Sequence, residues 1–184
     1  MVECSPSSGR PIELKRRAEE LYICPWAIAV DTREQAPWTF QGIDYTGQRW
    51  AIWCVRATLA TGDYSIAGHE GRLAIERKSA ADLTGSIGSG HDRFRREHER
   101  MAEIVEVGGF ACVIIEGSLS TICEELDANV GRRLTGNTIL GATASWPQKY
   151  GVPWFFAGDR RYAELLAFRV MLKFLHNGKA KPWR

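Results

Sequence analysis

Short, continuously apolar runs alternate along the chain with longer stretches in which apolar residues recur every three or four positions. Trp26 to Val30 is such a run and ends at Asp31, which predicts a buried strand delivering a carboxylate at its tip. Trp50 to Leu59 is a second β-rich stretch and Arg72 to Arg77 a third. Gly68-His69-Glu70-Gly71 supplies a hairpin turn before the third, so Asp63 and Glu76 are expected on neighbouring strands. From Ser79 the spacing becomes helical, breaks at Gly88-Ser89-Gly90, resumes with Phe94, Met101, Ile104 and Val105 on one face, and stops at Gly108-Gly109. Phe110 to Ile115 and Val152 to Phe156 read as further strands, with helical patterns between and after them. Strands alternating with helices predict an α/β fold, a mixed β-sheet flanked by helices.

The two ends carry weaker patterns. Residues 1–11 combine Ser, Pro and Gly without apolar period and are expected to form a tail, whereas Ile12 to Leu21 has Leu14, Ala18 and Leu21 at helical spacing, before Pro25 punctuates the chain. The last helix starts at Asp159, an expected cap. It shows Leu165, Phe168, Leu172 and Leu175 on one face and Leu166, Val170 and Phe174 on another. So broad an apolar surface fits either burial on two sides of its own domain or a homodimer seam. With no internal repeat or long linker, residues 12–184 are expected to form one domain.

Composition narrows the class. The 184 residues suit one domain, and 45% hydrophobic with 25% charged residues is ordinary for a globular protein. A net charge of +2 does not announce a nucleic-acid partner, although residues 159–184 hold seven basic and two acidic residues. The five cysteines are odd in number and form no CxxC pair, which disfavours a disulfide scaffold or zinc ribbon and fits a reducing cytoplasm. No run approaches the roughly 18 apolar residues of a membrane span, and no apolar signal core opens the chain, so the protein is expected to be soluble, unexported and cytoplasmic.

Within this framework four pieces carry the candidate chemistry: Val30-Asp31-Thr32-Arg33-Glu34, Thr61-Gly62-Asp63-Tyr64, Glu76-Arg77-Lys78, and Asp82. Period two places Glu76 and Lys78 on the same side of their strand. Carboxylates gathered near one lysine suit metal-assisted phosphodiester hydrolysis. Hard oxygen ligands hold Mg²⁺, and an ammonium can orient water or stabilise a phosphate oxygen. Plainer explanations stand beside this one. Asp82 completes a capping box begun by Ser79; Glu34 could pair with Arg33 or solvent; and Asp63, Glu76 and Lys78 could belong to a solvated hairpin with an incidental ion pair. Arg93, Arg96 and Arg100 share a helix face, either as phosphate contacts or as solvated charges laced with Glu97 and Glu103. His91 and His98 are seven apart, too far for an i, i+4 metal pair, and read as surface or packing residues. Trp183, in the basic tail, is the best exposed candidate for base stacking.

The order Gly62-Asp63, Glu76-Arg77-Lys78, three residues, Asp82 resembles the GDX(n)ERKX(3)D pattern of the XPF-type excision-repair nucleases, and Val30-Asp31-Thr32-Arg33-Glu34 resembles that family's VDxRE element. The resemblance covers residues 26 to 116 in detail. It implies a restriction-endonuclease-like PD-(D/E)XK core that cuts DNA, of branched or structured type, with Mg²⁺ or Mn²⁺. Carried over residue by residue, Asp63 and Glu76 would be the principal metal ligands, helped by the Arg77 carbonyl. Lys78 would be the catalytic lysine, Asp31 and Glu34 would complete the acidic site directly or through waters, and Asp82 would support it from the helix. Apart from that carry-over, Arg33, Arg93, Arg96 and Arg100 are the expected DNA contacts, the last three because their helix follows the acidic site. The resemblance also favours a homodimer through the last helix. Longer members append a tandem helix-hairpin-helix module or a helicase, so a chain with neither is expected to be a stand-alone nuclease of bacterial, archaeal or viral origin. The competing expectations are a catalytically silent binding or scaffold module of the same fold, and a restriction-like or RNA-directed nuclease.

Overall fold

The computed structural model describes residues 21–129 and 133–178. The tail over 1–11, most of the helix expected at Ile12–Leu21, and Trp183 lie outside the described residues. The elements are β1 (Tyr22–Asp31), β2 (Ile43–Tyr45), β3 (Gln48–Ala57), β4 (Tyr64–Ile66), β5 (Leu73–Ser79), α1 (Ala80–Ile87), α2 (His91–Glu106), β6 (Phe110–Glu116), α3 (Leu119–Asp127), α4 (Gly136–Tyr150), β7 (Trp154–Phe156) and α5 (Arg160–His176). They form one seven-stranded sheet in the order β2-β3-β1-β4-β5-β6-β7. The sheet is mixed, because β1–β3, β5–β6 and β6–β7 pair in parallel while β2–β3, β1–β4 and β4–β5 pair antiparallel.

Alternation along the strands sends side chains into two cores. Val30, Tyr64, Leu73, Ile75, Cys112 and Ile114 point to the face covered by α5 and by the loop after β1, which contributes Trp38 and Phe40. Ala74, Ala111, Val113 and Ile115 point to the other face, covered by α1 through α4. Both apolar faces of α5 are used: Phe168, Leu172 and Phe174 are buried, and Leu165, Leu166, Val170 and Leu175 are half-buried against the same core. What stays open beside α5 is a groove of about 330 Å³ lined by Phe110, Leu166, Val170, Phe174 and two cations, Arg169 and Lys173.

Two strands depart from the expected pattern. β1 begins before Pro25 and runs through it, with its register against β3 slipping between Ile23 and Ala27. Such an irregularity accommodates a residue that has no N–H to donate. In β3, Trp53, Cys54 and Val55 are exposed although their sequence is apolar. β2 pairs only with residues 48–50 of β3, so most of that strand lies at the sheet's margin. Among the described residues no helix is long and apolar enough to cross a membrane.

Candidate active site

Asp31 ends β1, Asp63 precedes β4, and Glu76 and Lys78 lie in β5. Backbone hydrogen bonds stitch the three segments together, from Asp31 N–H to the Asp63 carbonyl (2.8 Å) and from Asp63 N–H to the Ile75 carbonyl (2.9 Å). Gly62 makes the approach possible. Its φ is +76°, and a Cβ there would lie 3.1 Å from the Ile75 carbonyl oxygen, 3.2 Å from its nitrogen and 3.3 Å from the Ala74 Cβ. Since Val30, Tyr64 and Ile75 face α5, their neighbours Asp31, Asp63, Glu76 and, two further on, Lys78 all face the α1–α2 side. The result is a cleft of about 590 Å³ whose wall includes Asp31, Arg33, Glu34, Asp63, Glu76, Arg77, Lys78, Asp82, Arg93, Glu97 and Arg100.

The acids in this cleft are in unequal states. Asp31 is saturated, accepting from Arg33 N (2.8 Å), Arg33 Nε (2.7 Å), Arg33 Nη2 (3.0 Å) and Leu59 N (2.8 Å). The bonded Arg33 guanidinium holds its carboxyl down at about 2. Asp63 accepts from Arg77 N at 2.8 Å, and burial, only partly offset by that bond and by Lys78, pushes it up to about 6. Glu76 is driven well above the usual carboxylate range by burial first and the Asp63 charge second. The Lys78 ammonium is hydrogen-bonded to Glu76 and lies 3.5 Å from Glu97 Oε2. Burial works to lower its pKa, but Glu76 and Glu97 outweigh that and hold it above the ordinary lysine value.

Arg77 points the other way. Its guanidinium grips Glu116, at the end of β6, through Nε (2.8 Å) and Nη2 (2.9 Å), and reaches Glu34 at 3.2 Å. Glu116 also accepts from Trp38 Nε1 (2.7 Å) and Arg160 (3.2 Å). Arg160 and Arg161 in turn bond the carbonyls of Ala36, Pro37, Gln41 and Gly42, clamping the loop after β1 to α5. The Arg77 main chain serves the cleft nonetheless. Its N–H bonds Asp63, and in an extended strand the carbonyl of the same residue lies along the same edge.

The remaining expected residues divide. Asp82 lines the cleft and is also a cap: Ser79 Oγ accepts from Asp82 N (3.1 Å) and lies 2.7 Å from its carboxylate. Arg93 and Arg100 line the cleft; Arg96 does not. His98 is a core residue, held between Phe94 O (3.0 Å) and Trp154 Nε1 (2.8 Å), and burial lowers it to about 4. Sequence reasoning missed Glu97 as a neighbour of Lys78, and it missed Glu116, whose only local signal is an acid ending an apolar strand.

Among the described residues no three His, Cys, Asp or Glu side chains are gathered as closely as a preformed metal cage requires. The donor chemistry nevertheless suits a hard divalent cation. Asp63 and Glu76 are crowded, buried oxygen donors whose mutual repulsion a cation would relieve, and the Arg77 carbonyl lies on their edge.

A mixed seven-stranded sheet flanked by five helices is the fold of an XPF-type nuclease domain. Residues 30–167 match the ERCC4 domain, and the chain belongs to that family. XPF from Aeropyrum pernix is similar in structure over 86% of this chain and 66% of its own, with a TM-score of 0.58 at 18% identity. A second structure of XPF from Aeropyrum pernix, in complex with DNA, gives a TM-score of 0.55 at 21% identity over 83% of this chain and 66% of that one. The chain thus spans just under two thirds of those proteins, and at these identities the likeness is one of fold. No curated protein sequence matches.

Proposed function

We propose that the protein is a metal-dependent endonuclease that hydrolyses phosphodiester bonds in branched or otherwise structured DNA. The observation that carries this reading is the convergence of Asp63, Glu76 and Lys78 on one face of the sheet, in one cleft, with both acids held above their usual range. The charge balance supports it. With the Arg77 guanidinium turned to Glu116, the cleft wall carries six carboxylates against Arg33, Lys78, Arg93 and Arg100, so one divalent cation removes its excess of negative charge and lets a phosphodiester approach.

Asp63, Glu76 and the Arg77 carbonyl would hold Mg²⁺ or Mn²⁺, and such an ion, when bound, supplies Lewis-acid polarisation of a phosphate oxygen. Lys78 orients the attacking water or donates to a non-bridging oxygen, and its raised pKa keeps it a cation for that purpose. Asp31 acts by fixing Arg33 and the Leu59 backbone, since a direct bond from it to the ion would displace one of its four donors. Glu34 is held at the rim by Arg77, and Asp82 supports the start of α1. Arg33, Arg93 and Arg100 contact flanking phosphates. Pairing of two copies would use the apolar groove beside α5.

The test is incubation of the purified protein with Mg²⁺ or Mn²⁺ and single-stranded, duplex, flap, fork and four-way DNA, with matching RNA, a chelator and Lys78→Ala as controls. Cleavage of structured DNA that needs metal and Lys78 supports the reading. Binding without cleavage on every substrate would instead favour a silent DNA-binding module.

A further inference from the structure

We infer that Glu97, on α2, is a positioning residue that takes over the Lys78 ammonium when Glu76 turns to a divalent cation; this rests on the nuclease reading above. The main partner of Lys78 is Glu76. A carboxylate that also ligates a divalent ion is a weakened acceptor for an ammonium, and the two cations repel each other. Lys78 therefore needs a second acceptor, or its head group is left to wander in a cleft where its side chain is only 13% exposed.

α2 supplies that acceptor. Glu97 Oε2 lies 3.5 Å from Nζ, so a movement of about 0.7 Å, well within the reach of a lysine stem, gives an ordinary charge-assisted bond. Phe94, one turn earlier on the same helix face, places its ring 5.2 Å from the ammonium and limits where it can go. Among the described residues the ion pair of Glu97 is with Lys78, while the neighbouring Arg95 is paired with Glu99 at 2.6 Å; the other side chain that Glu97 meets is Glu76 itself, the group a cation would draw away. The Glu97 side chain is 15% exposed and lines both the cleft and the adjoining groove between α1 and α2. It is thus a cleft residue and not part of a solvated helix face.

Two readouts test this on the full chain. In single-turnover cleavage with Mn²⁺ at saturating DNA, Glu97→Ala should slow the reaction about 10- to 100-fold without any loss of DNA affinity. Glu97→Gln, which keeps a carbonyl acceptor for the ammonium, should recover most of the loss. In ¹H–¹⁵N spectra of the lysine ammonium groups, assigned with Lys78→Arg, the Lys78 signal should persist in the wild type when Mg²⁺ is added and broaden or vanish in Glu97→Ala. Wild-type behaviour of Glu97→Ala in the spectra overturns the proposal whether or not the protein cuts DNA. So does an unchanged cleavage rate in Glu97→Ala when Lys78→Ala is inactive, and that result leaves the nuclease reading intact. Absence of metal-dependent cleavage by the wild type overturns the nuclease reading instead.

Discussion

Glu76 and Arg77 are neighbours in β5 with similarly sheltered side chains, 5% and 13% exposed, yet they live in opposite circumstances. On one face, Arg77 and Glu116 satisfy each other: the bonded Glu116 raises the Arg77 pKa, and the bonds from Arg77 and Trp38 overcome burial to lower that of Glu116. On the other face, Glu76 is held above its usual range by burial first and by the charges of Asp63 and Glu97, which Lys78 only partly offsets. Buried charge that is fully paired fixes a fold. Buried charge left crowded is stabilised less than it could be, and that is how a site built to receive another charge behaves. A one-residue step along a strand separates the two because successive side chains leave on opposite faces.

The contrast is broken most severely at Lys78. Lys78→Ala should reduce metal-dependent cleavage by about 10²- to 10⁴-fold without loss of the fold, measured by single-turnover assay beside circular dichroism. On the satisfied face the effect should fall on stability. Trp38 is stacked on Tyr64 at 4.6 Å between ring centroids and donates to Glu116, so Trp38→Ala should lower the unfolding free energy by about 3–5 kcal/mol in urea titrations.

Asp31 and Asp63 sharpen the comparison within one cleft, because their shifts have opposite signs. With chelator at pH 7, Asp63→Asn should stabilise the protein by about 1–3 kcal/mol, since a carboxyl held at about 6 is strained when ionised. That gain should fade as pH falls from 6 towards 4, where the wild-type carboxyl becomes protonated and the repulsion disappears. Asp31→Asn should instead destabilise by about 1–3 kcal/mol at pH 7. Its penalty should shrink only below pH 4, as the wild-type carboxyl is titrated through about 2 and gives up its advantage. The smallest effects are expected at the rim. Arg93→Ala and Arg100→Ala should each weaken DNA binding and lower the salt slope by about one, whereas Arg96→Ala, outside the cleft, should do neither.

Much of this was legible from local pattern. The run ending at Asp31 places one acid at a strand tip, the turn at residues 68–71 sets Asp63 beside Glu76, and the two-residue spacing puts Glu76 and Lys78 on one side; the ERCC4 domain match covers those residues, while the pairing of β1, β4 and β5 is what gives all four a common face. The Gly62-Asp63 step also has a physical reason, in a positive φ and a close backbone approach. What was not legible depends on distant contacts. Glu116 meets Arg77 across 39 positions and Trp38 across 78, and Arg160 reaches back 124 positions to Ala36, so nothing near any of them in the chain marks the pairing. Glu97 has the same sequence signature as Glu99 on a charged helix, and only the packing of α2 beside β5 separates the lysine partner from the helix-surface one. The apolar Trp53-Cys54-Val55 misleads in the other direction, because hydrophobicity reports what burial would favour and not whether a neighbour exists to provide it.

The central claim is that one face of β5 holds the fold and the other does the chemistry. It is tested most directly by measuring cleavage rate and melting temperature together for Glu76→Gln and Glu116→Gln. Glu76→Gln should melt no lower than the wild type and fail to cut, while Glu116→Gln should melt lower and still cut at a temperature where it is folded. Wild-type cleavage by Glu76→Gln, or a stable but inactive Glu116→Gln, would contradict it.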